Sequence, residues 1–252
     1  MIFATGDTHF IFKGRFNTEV LPEQREMTKD DYVIICGDFS AIWYPEETKE
    51  EKYWLDWFES RSFTLLFIDG NHENHPRLAS YPVKEWHGGK VHEIRPHVLH
   101  LMRGQVFELQ GKTFFTFGGA QSHDVKDGIL DPLDPCYKLK KKELNKEDNP
   151  RFRTKHIDWF EEEMPTEEEM AEGLSNLAKH NNTVDYIVTH CCCTSMQAVV
   201  GDPSTKANYL TDYFESIHNT VDYKKWFFGH YHKDIDVNDK ETLLETRLIR
   251  IV

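Results

Sequence analysis

The sequence lacks any apolar run long enough to cross a bilayer, and no basic segment followed by an apolar stretch stands near its start. Neither a membrane anchor nor a secretory leader is therefore expected. C-x-x-C pairs are also missing, and three of the five cysteines are consecutive, at positions 191–193. This usage suits neither a disulfide framework nor a structural zinc site, so we expect a cytoplasmic protein.

Basic residues are scarce, with 30 lysines and arginines against 43 aspartates and glutamates, which gives a net charge of −13. One short basic run, KLKKK at 138–142, is the exception. Because nucleic-acid binding depends on several phosphate contacts at once, a long DNA or RNA partner is not expected. The same charge makes a contact with an anionic membrane unexpected.

Apolar residues are nevertheless sufficient for a large core, since 39% of the 252 residues are hydrophobic and 13% aromatic. Short apolar runs alternate with longer amphipathic stretches, which predicts an α/β fold. The predicted strands are 1–5, 31–36, 62–68, 184–189 and 224–228, and the predicted helices are 45–61 and 165–180. Neither a repeat nor a domain boundary is visible, so we expect a single domain over 1–252.

Particular side chains support the two predicted helices. In the first, the residues expected on one buried face are Tyr53, Trp54, Trp57 and Phe58. In the second, Thr166 and Glu169 have the spacing of a capping box.

The middle of the chain has a different pattern of apolar and polar residues. Residues 97–119 alternate and turn at Arg103-Gly104 and at Gln110-Gly111, which predicts antiparallel strands. The C-terminal stretch is similar, with a turn near Asn238-Asp239. These segments indicate two packed sheets rather than one parallel sheet. Residues 121–163 are polar and predict a long loop with some helix, a candidate cap over a site.

Residue types that bind metals follow each of the five predicted strands. They are Asp7, His9, Asp38, Asn71, His190, His230 and His232. After four of the five strands a glycine stands just before the first of these residues, which lets the backbone approach a ligand closely. Sites in layered α/β folds form beyond the carboxyl ends of strands, so we expect these side chains to form one metal site.

Seven such side chains are too many for one tetrahedral ion and suit two ions of five or six coordination. Nitrogen and oxygen ligands without thiolate favour transition metals over calcium or magnesium. Paired ions about 3.5–4 Å apart recur in enzymes that displace groups at phosphorus. We therefore expect two divalent ions, with Mn favoured and Fe, Zn, Co or Ni as alternatives.

In chain order, D-x-H at 7–9, GD at 37–38, GNHE at 70–73, the histidine at 190 and GH-x-H at 229–232 resemble the motifs of the calcineurin-like metallophosphoesterase family. The resemblance implies a four-layer αββα sandwich of two mixed β-sheets flanked by helices, in agreement with the two sheets inferred above. It also implies three groups of metal ligands. Asp7, His9 and His232 would hold one ion, Asn71, His190 and His230 the other, and Asp38 would bridge them.

The same resemblance implies hydrolysis of phosphate esters, in which a metal-activated hydroxide attacks phosphorus and His72 acts as the general acid. The alternative for His72 is a histidine that hydrogen-bonds loop carbonyls. The chain departs from the family's protein Ser/Thr phosphatases, which carry GD-x-x-DRG where this sequence has GDFSAIW. A phosphoprotein phosphatase is therefore disfavoured, and a small phosphate ester is the expected substrate. A phosphodiesterase or nuclease, and a non-catalytic binding module, are the alternatives, and the oligomeric state stays open.

Several other residues near these motifs are weaker candidates. Arg15 and Arg77 are nearby basic candidates for phosphate contact, and we keep both outside the predicted site. His123 and Asp124 follow another strand, and we expect them to cap a loop. Trp43 and the adjacent Tyr44 are assigned to core packing in preference to a cleft wall.

Overall fold

The protein is described here by a computed structural model that covers residues 1–201 and 206–252. Its strands, in chain order, are β1 (Ile2–Thr5), β2 (Tyr32–Ile35), β3 (Thr64–Phe67), β4 (Val83–Trp86), β5 (Gly89–Arg95), β6 (Val98–Leu101), β7 (Gln105–Leu109), β8 (Lys112–Phe117), β9 (Ile129–Leu130), β10 (Arg153–Thr154), β11 (Thr183–Thr189), β12 (Asp222–Phe228), β13 (Ile235–Asp236), β14 (Glu241–Leu243) and β15 (Leu248–Arg250). Its α-helices are α1 (Lys49–Glu59), α2 (His75–Ala79), α3 (Tyr137–Leu144), α4 (Glu167–Lys179), α5 (Thr194–Val200) and α6 (Tyr209–Thr220). Short 3-10 helices span Pro22–Arg25 and Glu161–Glu163.

Thirteen of these described strands form two mixed sheets, and β9 and β10 form a separate pair. The first has seven strands in the order β15-β1-β2-β3-β6-β5-β4, and the second has six in the order β13-β14-β12-β11-β8-β7. In the first sheet β1, β2, β3 and β6 run parallel. In the second sheet β8, β11, β12 and β14 run parallel. Antiparallel strands complete the edges of both sheets.

The core divides into three buried layers of side chains. In β2, Tyr32 and Ile34 face the layer between the two sheets, whereas Val33 and Ile35 face the outer layer that α1 covers. A third layer lies between the second sheet and the helices α4, α5 and α6. Strands buried on both faces explain the continuous apolar runs of the sequence. The arrangement is the predicted αββα sandwich, which is confirmed.

Both predicted helices begin at a capping box. Thr48 and Glu51 start α1, and Thr166 and Glu169 start α4. The predicted apolar face of α1 is partly wrong, because the Tyr53 side chain is 60% exposed. Leu55 supplies the buried position in its place.

The turn at Arg103-Gly104 does not form the predicted hairpin, because it carries the chain from β6 in the first sheet to β7 in the second. The turns at Gln110-Gly111 and near Asn238-Asp239 do join antiparallel neighbours, β7 with β8 and β13 with β14. Strands β4 and β5 and helices α5 and α6 had no counterpart in the predicted elements.

The segment 121–163 is mostly irregular and contains α3, the parallel pair β9–β10 and the second 3-10 helix. In the part of the chain that the structure describes, no helix combines the length and the apolar character needed to span a bilayer.

Candidate metal centre and active site

Parallel strands of both sheets end at one edge of the sandwich, and the predicted ligands meet there. On one side of the cluster, the Nε2 atoms of His9 and His232 are 3.0 Å apart, and His232 Nε2 lies 3.5 Å from Asp7 Oδ2. On the other side, His190 Nε2 lies 3.2 Å from Asn71 Oδ1. The His230 ring centre is 5.0 Å from that of His190. The fold therefore brings ligand candidates that are far apart in sequence into one cluster.

Asp38 lies between the two halves of this cluster. Its Oδ2 is 3.7 Å from His9 Nε2, and its Oδ1 is 3.3 Å from His190 Nε2. One potential ligand atom from each of Asp7, His9, Asp38 and His232 lies within 4.8 Å of the other three. Such a set of inward-facing carboxylates and imidazoles fits a divalent transition metal.

The two central carboxylates are almost fully withdrawn from solvent, with Asp7 2% and Asp38 1% exposed. Burial raises the pKa of Asp7 above its usual value. Burial also acts to raise the pKa of Asp38, but the adjacent His190 outweighs it and holds that pKa well below the usual value. Two buried carboxylates need positive charge beside them, which His190 supplies in part and which a bound cation would add to.

The orientation of the His190 ring is fixed by its backbone partner. Nδ1 lies 2.8 Å from the carbonyl oxygen of Cys36, which makes Nδ1 the donor. Nε2 is left facing Asn71 Oδ1 and Asp38 Oδ1. It donates to these oxygens as the imidazolium, and as the neutral ring it offers its lone pair to a metal ion. A backbone carbonyl that fixes one ring nitrogen in this way is common behind histidine ligands.

Four of the seven predicted ligands have left-handed backbone conformations, at His9 (φ 43°), Asp38 (φ 47°), His230 (φ 72°) and His232 (φ 48°). Such conformations are uncommon outside glycine and cluster at functional sites. The glycines next to the ligand candidates are explained by the close approach of their backbone to other ligand side chains. A Cβ added to Gly229 would lie 2.0 Å from Asp7 Oδ1, so any larger residue there would displace a candidate ligand.

His72 faces the cluster from the end of β3. Its backbone N–H donates to Asp38 Oδ1 at 2.8 Å, and its ring centre lies 5.1 Å from that of His9. Trp43 stacks on its other side, with ring centres 5.8 Å apart and an interplanar angle of 21°. Burial lowers the pKa of His72, and the Asp38 carboxylate opposes this shift.

Glu73 supports the loop that carries Asp38. This side chain is fully buried, and its Oε1 accepts from the backbone N–H of Phe39 at 2.8 Å and of Ser40 at 3.3 Å. Ser40 Oγ in turn donates to the carbonyl of His72 at 3.1 Å. These bonds tie the loops after β2 and β3 to one another.

Residues of the segment 121–163, a predicted candidate cap, also reach the cluster, and sequence reasoning missed Ser122 and Glu163 among them. Asn71 Nδ2 donates to Ser122 Oγ at 3.4 Å, and Ser122 Oγ donates to Glu163 Oε2 at 2.6 Å. The ring of His123 lies 4.9 Å from that of His230, which places this histidine beside the cluster, whereas a loop-capping role was expected of it. The available signal was the position of this histidine just after a strand, as in the other motifs.

Two cavities adjoin the cluster. One of about 480 Å³ is lined by several residues of this segment, namely Gln121, Ser122, His123, Lys126 and Arg151, and by residues of the second sheet's loops, including His230. Another of about 280 Å³ lies beside His72 and includes Trp43 and Tyr44, so the assignment of these two rings to core packing is wrong.

The two arginines considered near the motifs have structural partners. Arg15 Nη1 donates to the carbonyls of Gly6 at 3.1 Å and of Asp7 at 2.7 Å. Arg77 is buried and pairs with Glu51 at 3.0 Å. Both stabilise loops of the site, which agrees with their exclusion from the predicted ligands.

An αββα sandwich with buried carboxylates and imidazoles at its strand ends defines a metal-dependent phosphoesterase fold. The chain belongs to the calcineurin-like phosphoesterase family, whose sequence model matches residues 1–234. No curated protein sequence is significantly similar to it. Among solved structures, the phosphopantetheinyl hydrolase from Mycobacterium tuberculosis is similar, with 15% identity, 97% of this chain and 87% of that chain covered, and a TM-score of 0.45.

Proposed function

We propose that this chain is a dinuclear-metal-dependent phosphoesterase that hydrolyses small phosphate esters, with His72 as the general acid. The observation that carries the proposal is the position of Asp38 between the other six ligand candidates, with its two oxygens facing opposite halves of the cluster. Membership of a metal-dependent hydrolase family supports the same chemistry.

In this proposal the ligands divide into two sets. Asp7, His9 and His232 hold one ion, Asn71, His190 and His230 hold the second, and Asp38 lies between them. Divalent ions bound there would act as Lewis acids at the phosphoryl group and lower the pKa of bound water. The nitrogen and oxygen donors favour Mn, with Fe, Zn, Co or Ni as alternatives.

His72 supplies the proton that the departing alkoxide needs. When the bond between phosphorus and the leaving oxygen breaks, the ring nitrogen transfers its proton to that oxygen. Burial lowers the pKa of His72 in the free site. A phosphate dianion arriving beside the ring would raise that pKa again, because negative charge favours the imidazolium. Bound phosphate therefore favours the protonated ring that general-acid catalysis requires.

The acidic surface favours small substrates over polymers. With a net charge of −13, the chain offers few cations to follow a nucleic-acid backbone. In the basic run, Lys140 pairs with Asp134 at 2.7 Å, which removes part of its local charge. A nuclease is the second candidate on this fold, and the binding module is disfavoured because the whole set of ligand candidates and His72 are present together.

A panel of phosphomonoesters and phosphodiesters, assayed with added Mn and with a chelator, tests the proposal. We expect Mn-dependent hydrolysis of small monoesters that the chelator abolishes. The matched control is Asp38→Asn, which keeps the size of the side chain but removes its charge, and which we expect to be inactive. Hydrolysis that survives both the chelator and Asp38→Asn would contradict the proposal.

A further inference from the structure

The cavity beside His72 has an unusual lining. Its volume is about 280 Å³, and its walls are His9, Phe10, Ser40, Trp43, Tyr44 and His72. Among these described residues none is a lysine, arginine or carboxylate. The volume lies just below the usual range for ligand cavities, about 300–1,000 Å³. Its size and walls suit one uncharged ring system rather than a long chain or a second phosphate.

Buried groups hold the aromatic wall in place. Glu51 Oε1 accepts from the backbone N–H of Trp43 at 2.8 Å and of Tyr44 at 3.2 Å. Arg77 Nη1 donates to the carbonyl of Tyr44 at 2.9 Å, and Asn74 Nδ2 donates to that of Trp43 at 3.1 Å. Both amides and both carbonyls of this dipeptide are therefore fixed, although the Tyr44 side chain is 52% exposed. These bonds hold the rings of Trp43 and Tyr44 in a fixed position at the cavity, where a ligand can contact them.

This wall stands where the sequence departs from the GD-x-x-DRG pattern. Ala41 and Ile42, which replace its aspartate and arginine, are fully buried in the core. Trp43, at the position of its last glycine, reaches the cavity and stacks on His72. Among the residues that line the cavity, the loop thus presents aromatic rings and no cation.

The role of His72 decides which part of a substrate occupies the cavity. A general acid must lie within hydrogen-bond reach of the leaving oxygen, so the group attached to that oxygen must lie beside His72. We propose that the substrates are phosphomonoesters whose leaving alcohol carries a planar aromatic ring one or two bonds from the ester oxygen. This inference rests on the proposed function. As the phosphorus–oxygen bond breaks, the oxygen takes the proton of His72 and the ring stays stacked between the aromatic walls.

Benzyl phosphate and cyclohexylmethyl phosphate provide the test. Both release a primary alcohol of similar size, and they differ in whether the ring is aromatic and flat. Aromatic pairing contributes beyond the buried area, so we expect kcat/KM for the benzyl ester to exceed that for the other by about 2- to 12-fold. Equal values for the two esters would overturn the inference.

Variants locate the source of the preference. In Trp43→Leu we expect the ratio of the two kcat/KM values to fall to about one, whereas Trp43→Phe should keep a ratio above one. If Trp43→Leu acted by displacing His72, both esters would slow equally and the ratio would persist, which would also overturn the inference. Tyr53→Leu is the control, because this aromatic side chain is 60% exposed on α1 and outside the cavity. It should change neither value.

A binding measurement separates failure of this inference from failure of the proposed function. Benzylphosphonate and cyclohexylmethylphosphonate cannot be hydrolysed, and their affinities for the Mn-loaded protein can be compared by calorimetry. If neither ester is hydrolysed but benzylphosphonate binds more tightly, the aromatic cavity stands and the catalytic proposal fails. If both esters are hydrolysed and the two phosphonates bind equally, the cavity assignment fails alone.

Discussion

Changing Glu51 to alanine removes one buried carboxylate on which both a helix start and the aromatic wall depend. Its oxygens cap α1 through Thr48, accept from the backbone of Trp43 and Tyr44, and pair with Arg77. Glu51 is 1% exposed and Arg77 9%, so the variant would leave a buried guanidinium without its partner.

The size of the effect follows from this burial. Removing one partner of a buried ion pair costs about 3–5 kcal/mol. A second carboxylate, Glu47, lies 4.0 Å from the Arg77 guanidinium and would recover part of the loss. We therefore expect a destabilisation of about 3–4 kcal/mol. For a chain of this length each kcal/mol lowers Tm by about 2–4 °C, so Tm should fall by about 6–16 °C.

Thermal unfolding followed by calorimetry or circular dichroism measures this difference. Glu50→Ala is the matched control, since Glu50 is exposed in the same turn of α1, and its effect should stay within about 0.5 kcal/mol. Glu51→Gln keeps an acceptor for the backbone but loses the charge, and its Tm should lie between the other two. A Tm for Glu51→Ala equal to that of Glu50→Ala would refute the reasoning.

Three further outcomes can be measured. Elemental analysis after reconstitution with Mn should give two ions per chain, and a constant value of one would contradict the dinuclear site. His72→Ala should keep both ions but lower kcat by about 10²–10⁴-fold, whereas loss of metal would make His72 a ligand instead. Binding to a long DNA duplex should be weak at moderate salt, so sub-micromolar affinity with a steep dependence on salt would favour the nuclease.

The regular parts of this fold could be predicted because their signals are local. Strands such as β2 are buried on both faces and read as continuous apolar runs, and Thr166 with Glu169 marks the start of α4 within four residues. The site could be predicted for a related reason. The seven ligand candidates lie within four residues of the ends of five strands, and the parallel strands of each sheet bring them to one edge.

What could not be predicted depends on partners that are distant in sequence. Nothing local indicates that the turn at Arg103-Gly104 crosses between sheets. Glu51 lies on a helix whose pattern favours exposure of a charged residue, and its burial is explained by Arg77, 26 residues later. Trp43 resembles a core residue because an aromatic in an apolar run usually is one.

The chain of hydrogen bonds from Asn71 through Ser122 to Glu163 has a consequence for how new specificities can arise on this fold. The two ends of the segment 121–163 hold the amide of a metal-ligand candidate, while α3 and the residues around it lie between those ends. Natural substitutions or deliberate loop exchange between the two ends of the segment could reshape the cavity of about 480 Å³ without changing the ligand candidates. Exchange of the whole segment would instead free the Asn71 amide to rotate, and a graft intended to change the substrate would weaken metal binding at the same time.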